Sequence, residues 1–524
     1  MRRGLPRGRV RSLGAVAAAI VLPGLVLLSV RQYPQVARLD PLPVSAALWA
    51  AFAAGAWCVL GTSARRAVPL ILLGGFAVQL AALSAPPRSS DDLYRYIWDG
   101  RVQVQGIDPY RYVPAAPQLA GLRDPFLWPS SGPHCVAPGE TEQDTTGPGP
   151  ALAPGCTRIN LPAVHTIYPP VAEAYFAAVQ LASPPGSGSA PIQAGAALLA
   201  MATTVLLLAG LKRSGRDPRL AVLWAWCPVV GLEAGNNAHV DVLAAVLTVA
   251  ALLVLARPGG HRRIVAGGAL LGLAVAAKIT PVLIAPAVLR RRPATVVAAA
   301  AAATLTVYLP HVLAVGSGVI GFLPGYLNAQ GYTSGSRFQL LSLIAPGRWA
   351  GVAAVAVLAA AGLAVLRRAD PDQPWRGAVV MTGAALAVTT PWIMWYSMLL
   401  VALVALDGRP EWLALAAARY LTPLHPLPHV TIPEPSRVGY GCALVVVVTV
   451  SAARLLRGRS ARHASPRSVE RGDGVQVLAG VAGGAGLFVA GQGGPGHGRL
   501  AAELAGDRGE VAQVLGDQVN REVG

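Results

Sequence analysis

The densest group of charged and aromatic residues in the chain is SSDDLYRYIWDGRVQVQGIDPYRYVP, residues 89–114. If this segment is helical, Asp92, Arg95 and Asp99 share one face by their spacing. Carboxylates can accept a proton and arginines can bind an anion, so such a face suits acid–base chemistry on a charged substrate. The simpler interpretation is a capped helix with an internal ion pair and a second, interfacial face, formed by Tyr94, Ile97, Trp98 and Arg101.

Two further polar groups interrupt apolar runs, at GNNAHVDV (residues 235–242) and at AAKITP (residues 276–281). Polar side chains at membrane depth are costly and usually face a cavity or one another. The first group supplies the candidates Asn237, His239 and Asp241, with a short polar turn as the alternative. The second holds Lys278, whose ammonium needs an anionic partner such as a phosphate or Asp241, unless it extends to the interface.

Aromatic residues surround Pro391 in TTPWIMWYS, residues 389–397. Trp392 and Tyr396 are candidates here because aromatic faces suit sugar rings. A plain aromatic belt at the membrane surface is the favoured alternative.

The composition explains why these groups stand out. Hydrophobic residues make up 54% of the 524 residues and charged residues only 13%, against roughly 25% charged residues in a soluble domain. Such a chain has too little polar surface for water, so we predict an integral membrane protein. The net charge of +18 comes from arginines clustered between apolar segments, which is typical of cytoplasmic loops and not of a nucleic-acid partner.

Apolar runs long enough to cross a bilayer predict an all-α, polytopic transmembrane helix bundle of about 12–14 spans. Basic clusters such as Arg65–Arg66, Arg290–Arg292 and Arg367–Arg368 fall on one side if both termini are cytoplasmic. Residues 85–190 and 314–349 then lie on the opposite, extracytoplasmic face of a cell membrane.

Four regions follow from this arrangement. Residues 1–84 form N-terminal transmembrane helices, and residues 85–190 form a large extracytoplasmic loop that carries interfacial helices, including one over residues 166–182. Residues 191–459 form the remaining helix bundle. Residues 460–524 are rich in Gly and charged residues and are predicted to be a disordered cytoplasmic tail.

No phosphate-binding Walker loop, dinucleotide fingerprint, zinc-ligand spacing or GxSxG elbow occurs in the sequence. The sequence therefore predicts neither a metal nor a cofactor.

The order of the motifs resembles the GT-C superfamily of membrane glycosyltransferases, and most closely glycosyltransferase family 87 and bacterial polyprenol-phosphomannose-dependent mannosyltransferases. The resemblance rests on DDLYRYIWDGRVQVQGIDPYRY, TIYPPVAEAYF, NNAHVD, AAKITPVLIAP and PWIMWYS, in that order. It implies a hexosyltransferase that moves a sugar, mannose by the resemblance, from a polyprenyl phosphate to a glycan or glycolipid acceptor, with inversion.

The resemblance also implies roles for particular residues. An acidic residue of the first large outer loop acts as the general base, which corresponds to Asp92 or its neighbour Asp91. The substrate-binding candidates are Arg95, Asp99, Arg101, Tyr110, Tyr168, Asn237, His239, Asp241, Lys278, Trp392 and Tyr396, among which Arg95 and Lys278 are the preferred partners of the leaving phosphate.

The sequence departs from the family pattern between Asp124 and Asn160, where a segment rich in Pro and Gly is inserted. An extracytoplasmic compartment permits disulfides, so we predict a Cys135–Cys156 bridge that closes this loop.

Two other classes of function remain open. A transporter or flippase of lipid-linked glycans also needs charged residues in a helix bundle, but it more often has internal repeats, which are not evident here. A polymerase or ligase of lipid-linked glycans would share the outer site and use an oligosaccharide donor.

Overall fold

The computed structural model describes residues 7–31, 42–129, 156–422 and 435–463, the last with side chains to residue 457. These segments consist of helices and connecting turns and contain no β-strand. The predicted all-α fold is thus confirmed. Cys135 and the part of the predicted tail after His463 lie outside the described residues.

The longer α-helices are numbered here along the chain. They are α1 Arg7–Arg31, α2 Leu42–Leu60, α3 Ala64–Ala82, α4 Asp92–Val104, α5 Pro170–Ala182, α6 Ala190–Arg213, α7 Asp241–Leu255, α8 His261–Ala277, α9 Pro293–Val315, α10 Arg348–Arg368, α11 Trp375–Thr389, α12 Met398–Asp407 and α13 Pro435–His463. Shorter α-helices are Val222–Ala225, Ala285–Val288, Leu323–Ala329 and Leu413–Ala417, and 3-10 turns are Pro117–Leu122, Pro218–Ala221, Thr280–Ile284, Gly316–Ile320, Leu341–Leu343, Met394–Ser397 and Pro410–Trp412. Val230–Asn236 is a π-helix.

Seven helices within the described residues are long and apolar enough to cross a membrane, or up to eight if the bent pair Val230–Asn236 and Asp241–Leu255 forms one span. The polytopic bundle is confirmed, but this number is smaller than the predicted one. Several predicted spans are short helices, such as α7 with 15 residues. The predicted span 219–233 is broken because it contains Pro228, which has no amide to donate.

Helices that are apolar all round occupy two different environments. Every residue of α12 is buried by protein, so this helix forms part of the centre of the bundle. In α9 the only buried residue is Val296, so its apolar surface is available to lipid. An apolar sequence without a polar face is expected in both places.

Helices α4 and α5 pack closely against each other in the region predicted to be extracytoplasmic. Gly100 allows the approach, because a Cβ atom there would lie 2.5 Å from the carbonyl oxygen of Phe176. The ring of Tyr96 stacks on that of Phe176, with 4.3 Å between ring centroids. This contact fixes the direction of α4 and hence the position of Asp92 at its start.

The second face of α4 is not an interfacial surface, contrary to the simpler interpretation of the sequence. Tyr94, Ile97 and Trp98 are only 6%, 8% and 1% exposed. Residues of the following loop cover them, since Phe126 contacts the ring of Tyr94 and Trp128 contacts the ring of Trp98. The aromatic residues therefore hold the loop to the helix.

The chain divides into two units, residues 1–450 and 451–524. The described part of the second unit is the end of α13, which continues to His463. The helix thus extends past the predicted boundary at residue 459.

Candidate active site

Asp92 is the first residue of α4, and its carboxylate is held from two sides. Oδ1 accepts a hydrogen bond from Asn160 Nδ2 at 2.7 Å, and Oδ2 lies 3.5 Å from His239 Nδ1. Burial would raise the pKa of Asp92, but His239, Lys278 and Asn160 outweigh it and lower the pKa below its ordinary value. The side chain is 20% exposed, so an ionised carboxylate is accessible at this position.

Asp91 occupies a different environment from its neighbour. It is the N-cap residue of α4 and is exposed, and its carbonyl oxygen accepts the Tyr94 amide at 3.1 Å. Asp92 is less exposed and its carboxylate lies against His239. The geometry therefore favours Asp92 as the reactive carboxylate.

His239 is fully buried between two carboxylates and an indole ring. Its Nε2 atom lies 3.5 Å from Glu233 Oε2, opposite the Nδ1 atom that faces Asp92. Its ring stacks on Trp395 with 3.7 Å between centroids. One ring nitrogen of His239 therefore faces each carboxylate.

Glu233 is held rigidly within the π-helix Val230–Asn236. It accepts hydrogen bonds from Tyr420 Oη at 2.6 Å and Asn237 Nδ2 at 2.8 Å, and the residue is fully buried. π-Helical segments are frequent at functional sites because they redirect side chains. Here the segment directs Glu233 toward His239.

Asn237 is held by hydrogen bonds to neighbouring protein groups. Its Nδ2 atom donates to Glu233 and to Ser89 Oγ, and its Oδ1 atom accepts the Arg88 amide at 3.0 Å. These bonds tie the π-helix to the chain segment that precedes α4. Asn237, predicted to bind substrate, is thus occupied by protein partners.

Lys278 is paired with Asp241, one of the two partners that the sequence suggested. The Nζ–Oδ2 distance is 2.9 Å. The ammonium also lies 6.0 Å and 5.8 Å from the ring centroids of Tyr168 and Tyr396. α8 ends at Ala277 and Lys278 adopts an extended conformation, which turns its side chain toward this aromatic group.

The two arginines of α4 bind protein groups. Arg95 forms a buried ion pair with Asp99 at 2.9 Å, as the helical spacing predicts, and donates to the carbonyl oxygen of Val164. Arg101 pairs with Asp124 at 2.7 Å. These contacts fasten the loop after α4 to the helix, and the predicted role of Arg95, Asp99 and Arg101 in substrate binding stays a prediction.

The predicted aromatic residues have different surroundings in the structure. Tyr110 is buried and donates to the carbonyl oxygen of Tyr168 at 2.6 Å, so it supports the fold around Tyr168. Tyr396 hydrogen-bonds through its hydroxyl to Tyr326 and lies close to Lys278. Trp392 is 36% exposed. In the described part of the chain it makes no ring contact with His239 and no hydrogen bond with Asp92.

Sequence reasoning missed several residues that touch the central groups, among them Asn160 and Glu233. Asn160 lies at the end of the inserted segment, where nothing in the sequence marks it as a partner of Asp92. Glu233 had a visible signal, because it is an acidic residue within an otherwise apolar run just before GNNAHVD.

No group of three or more His, Cys, Asp or Glu side chains able to hold a metal occurs among the residues that the structure describes. Of the predicted disulfide, Cys156 is described and Cys135 is not, so this bridge stays a prediction.

Comparison with known proteins identifies one related family. Residues 166–391 match the family model of glycosyltransferase family 87, a range that includes Glu233, His239 and Lys278 but begins after Asp92. No curated protein and no solved structure matches the chain. Over residues 166–391 the chain therefore resembles glycosyltransferase family 87, as its motifs predicted, and this match indicates a membrane glycosyltransferase.

Proposed function

We propose that the protein transfers a sugar from a polyprenyl phosphate to an acceptor hydroxyl at the extracytoplasmic face of the cell membrane. The observation that carries the proposal is the accessible carboxylate of Asp92, held ionised beside His239. Mannose as the sugar, and a glycan or glycolipid as the acceptor, follow from the family resemblance.

The proposed reaction is a displacement at the anomeric carbon. The acceptor oxygen attacks the anomeric carbon while its proton passes to Asp92. The bond between the anomeric carbon and the phosphate oxygen breaks, and polyprenyl phosphate leaves with the bonding electrons. This single displacement inverts the anomeric centre.

The charged groups around the site suit the departure of polyprenyl phosphate. The leaving phosphate is anionic and is stabilised by fixed cations. The ammonium of Lys278, paired with Asp241, acts on Asp92, and His239 lies between Asp92 and Glu233. Aromatic rings of Tyr168 and Tyr396 beside Lys278 offer faces on which a sugar can lie.

An assay with purified protein separates this proposal from its rivals. Incubated with a radiolabelled polyprenyl phosphomannose and a membrane glycolipid extract, the protein is expected to form labelled glycoside of inverted anomeric configuration. Movement of the intact donor across liposomes without new glycosidic bonds would instead identify a flippase. Transfer restricted to oligosaccharide donors would identify a polymerase or ligase.

A further inference from the structure

Arg337 is a buried cation that the proposed reaction has not used. It is 4% exposed and lies in the loop after the short helix Leu323–Ala329. None of the ion pairs recorded in the described residues includes it. A buried charge without a counter-charge is costly, so its presence calls for an anion.

The hydrogen bonds of Arg337 are also incomplete. Nη1 donates to Gln330 Oε1 at 2.9 Å, whereas Nε and Nη2 are buried and have no partner among the described residues. These two atoms lie on one edge of the guanidinium plane, and that edge matches two oxygens of a phosphate. The unsatisfied donors thus have the geometry of a bidentate phosphate contact.

The position of Arg337 connects it to the candidate active site. Its guanidinium carbon lies 5.7 Å from the ring centroid of Tyr396, and Lys278 Nζ lies 5.8 Å from the same centroid. Two cations therefore share one aromatic ring, and they differ in one respect. Lys278 is already neutralised by Asp241, whereas Arg337 is not paired with a carboxylate in the described residues.

The surrounding loop holds Arg337 in place. Its carbonyl oxygen accepts Thr390 Oγ1 at 2.9 Å, and its amide donates to the Gly331 carbonyl oxygen at 3.2 Å. Gly335 has a left-handed φ of +84°, and a Cβ there would lie 2.0 Å from the Gly347 carbonyl oxygen. A restrained backbone lowers the entropy lost when the side chain binds a ligand.

We propose that Arg337 binds the phosphate group of the substrate through Nε and Nη2, on the Tyr396 side of the site. This inference rests on the proposed function, because it names the phosphate-binding residue of the same site. The ligand chemistry is a phosphate ester or free phosphate, and in the first case the ester carries the polyprenyl chain.

Binding measured without any transfer reaction tests the inference independently. The apparent Kd of polyprenyl phosphate and of uncharged polyprenol is measured by thermal shift on purified wild type, Arg337→Gln, Arg337→Lys and the exposed control Arg348→Gln. We expect wild type and Arg348→Gln to prefer the phosphate, and Arg337→Gln to lose at least about tenfold in affinity for it, as the loss of a charged hydrogen bond implies. Polyprenol binding should change less than twofold.

The remaining outcomes also decide the question. If inorganic phosphate competes at equal affinity, the ligand of Arg337 is free phosphate. This outcome supports a phosphate site at Arg337 and excludes the ester as its specific ligand. If Arg337→Gln does not fold, Arg337→Lys carries the test, since a point charge should keep the preference with weaker affinity. Unchanged preference for phosphate in folded Arg337→Gln, or the same affinity in Arg337→Lys as in wild type, overturns the inference. Failure of the proposed function would appear separately, as wild-type protein that binds polyprenyl phosphate but forms no glycoside.

Discussion

At the scale of single residues, the protonation of Asp92 depends on its neighbours. Burial favours the neutral acid, but His239, Lys278 and the hydrogen bond from Asn160 favour the carboxylate and lower its pKa. A base of this kind is ionised throughout the neutral range. It loses its charge only when the pH falls below the ordinary value of 3.8.

Asn160→Ala should therefore change the pH dependence of transfer. Removing a donor to the ionised form raises the pKa of Asp92, so the acidic limb of kcat/KM moves to higher pH. We expect a clear displacement of that limb, because a hydrogen bond to a charged group favours the ionised carboxylate by about 1.5–3 kcal/mol. Initial rates from about pH 3 to 8, with the exposed Asn328→Ala as control, check this. Identical profiles for wild type and Asn160→Ala would contradict it.

Only part of the site was predictable from residue types. The Arg95–Asp99 pair follows from helical spacing, and Asp241 was one of two partners expected for Lys278. His239 and Asp92 are distant along the chain, so no local pattern predicts their contact. The contact of His239 with Glu233 depends on the π-helix Val230–Asn236, which the sequence did not predict. Arg337 was missed because an arginine in a loop has no distinguishing pattern.

At the scale of elements, the site depends on how α4 meets α5 and the π-helix. The sequence indicates the helical character of residues 92–104 through spacing of charges. It does not indicate that α5 covers this helix, because an amphipathic helix has the same residue pattern whether it lies on a membrane surface or packs against protein. The stacking of Tyr96 on Phe176 of α5 shows that this helix packs against protein.

Gly100→Ala tests the contact between α4 and α5. The added methyl group would meet the Phe176 carbonyl oxygen, a backbone atom that cannot rotate away. We expect a loss of about 1–3 kcal/mol in stability, measured as a lower unfolding temperature in detergent. Gly121→Ala is the matched control, because nothing lies within 4 Å of its Cβ position. Equal unfolding temperatures for the two variants would show that the helices do not rely on this approach.

At the scale of the whole molecule, composition and charge distribution predict an all-α membrane bundle, which the structure confirms. Among the described residues, fewer helices are long enough to be full spans than the sequence predicted, because hydropathy does not distinguish a full span from a short helix buried in the bundle. The direction of insertion stays a prediction from the arginine clusters.

An impermeant thiol reagent applied to intact cells tests this direction of insertion. It should label Ala120→Cys and not Ser214→Cys, and the reverse pattern would refute the orientation.

The central claim is that Asp92 takes the proton of the acceptor, and a paired substitution tests it most directly. Asp92→Asn keeps the size of the side chain and removes its basicity, whereas Asp91→Asn makes the same change one residue earlier. With labelled donor at saturation, we predict that Asp92→Asn lowers kcat at least ~100-fold, in line with the loss of general-base catalysis, at an unchanged unfolding temperature, while Asp91→Asn stays within about threefold of wild type. Near-normal turnover by Asp92→Asn would contradict the account.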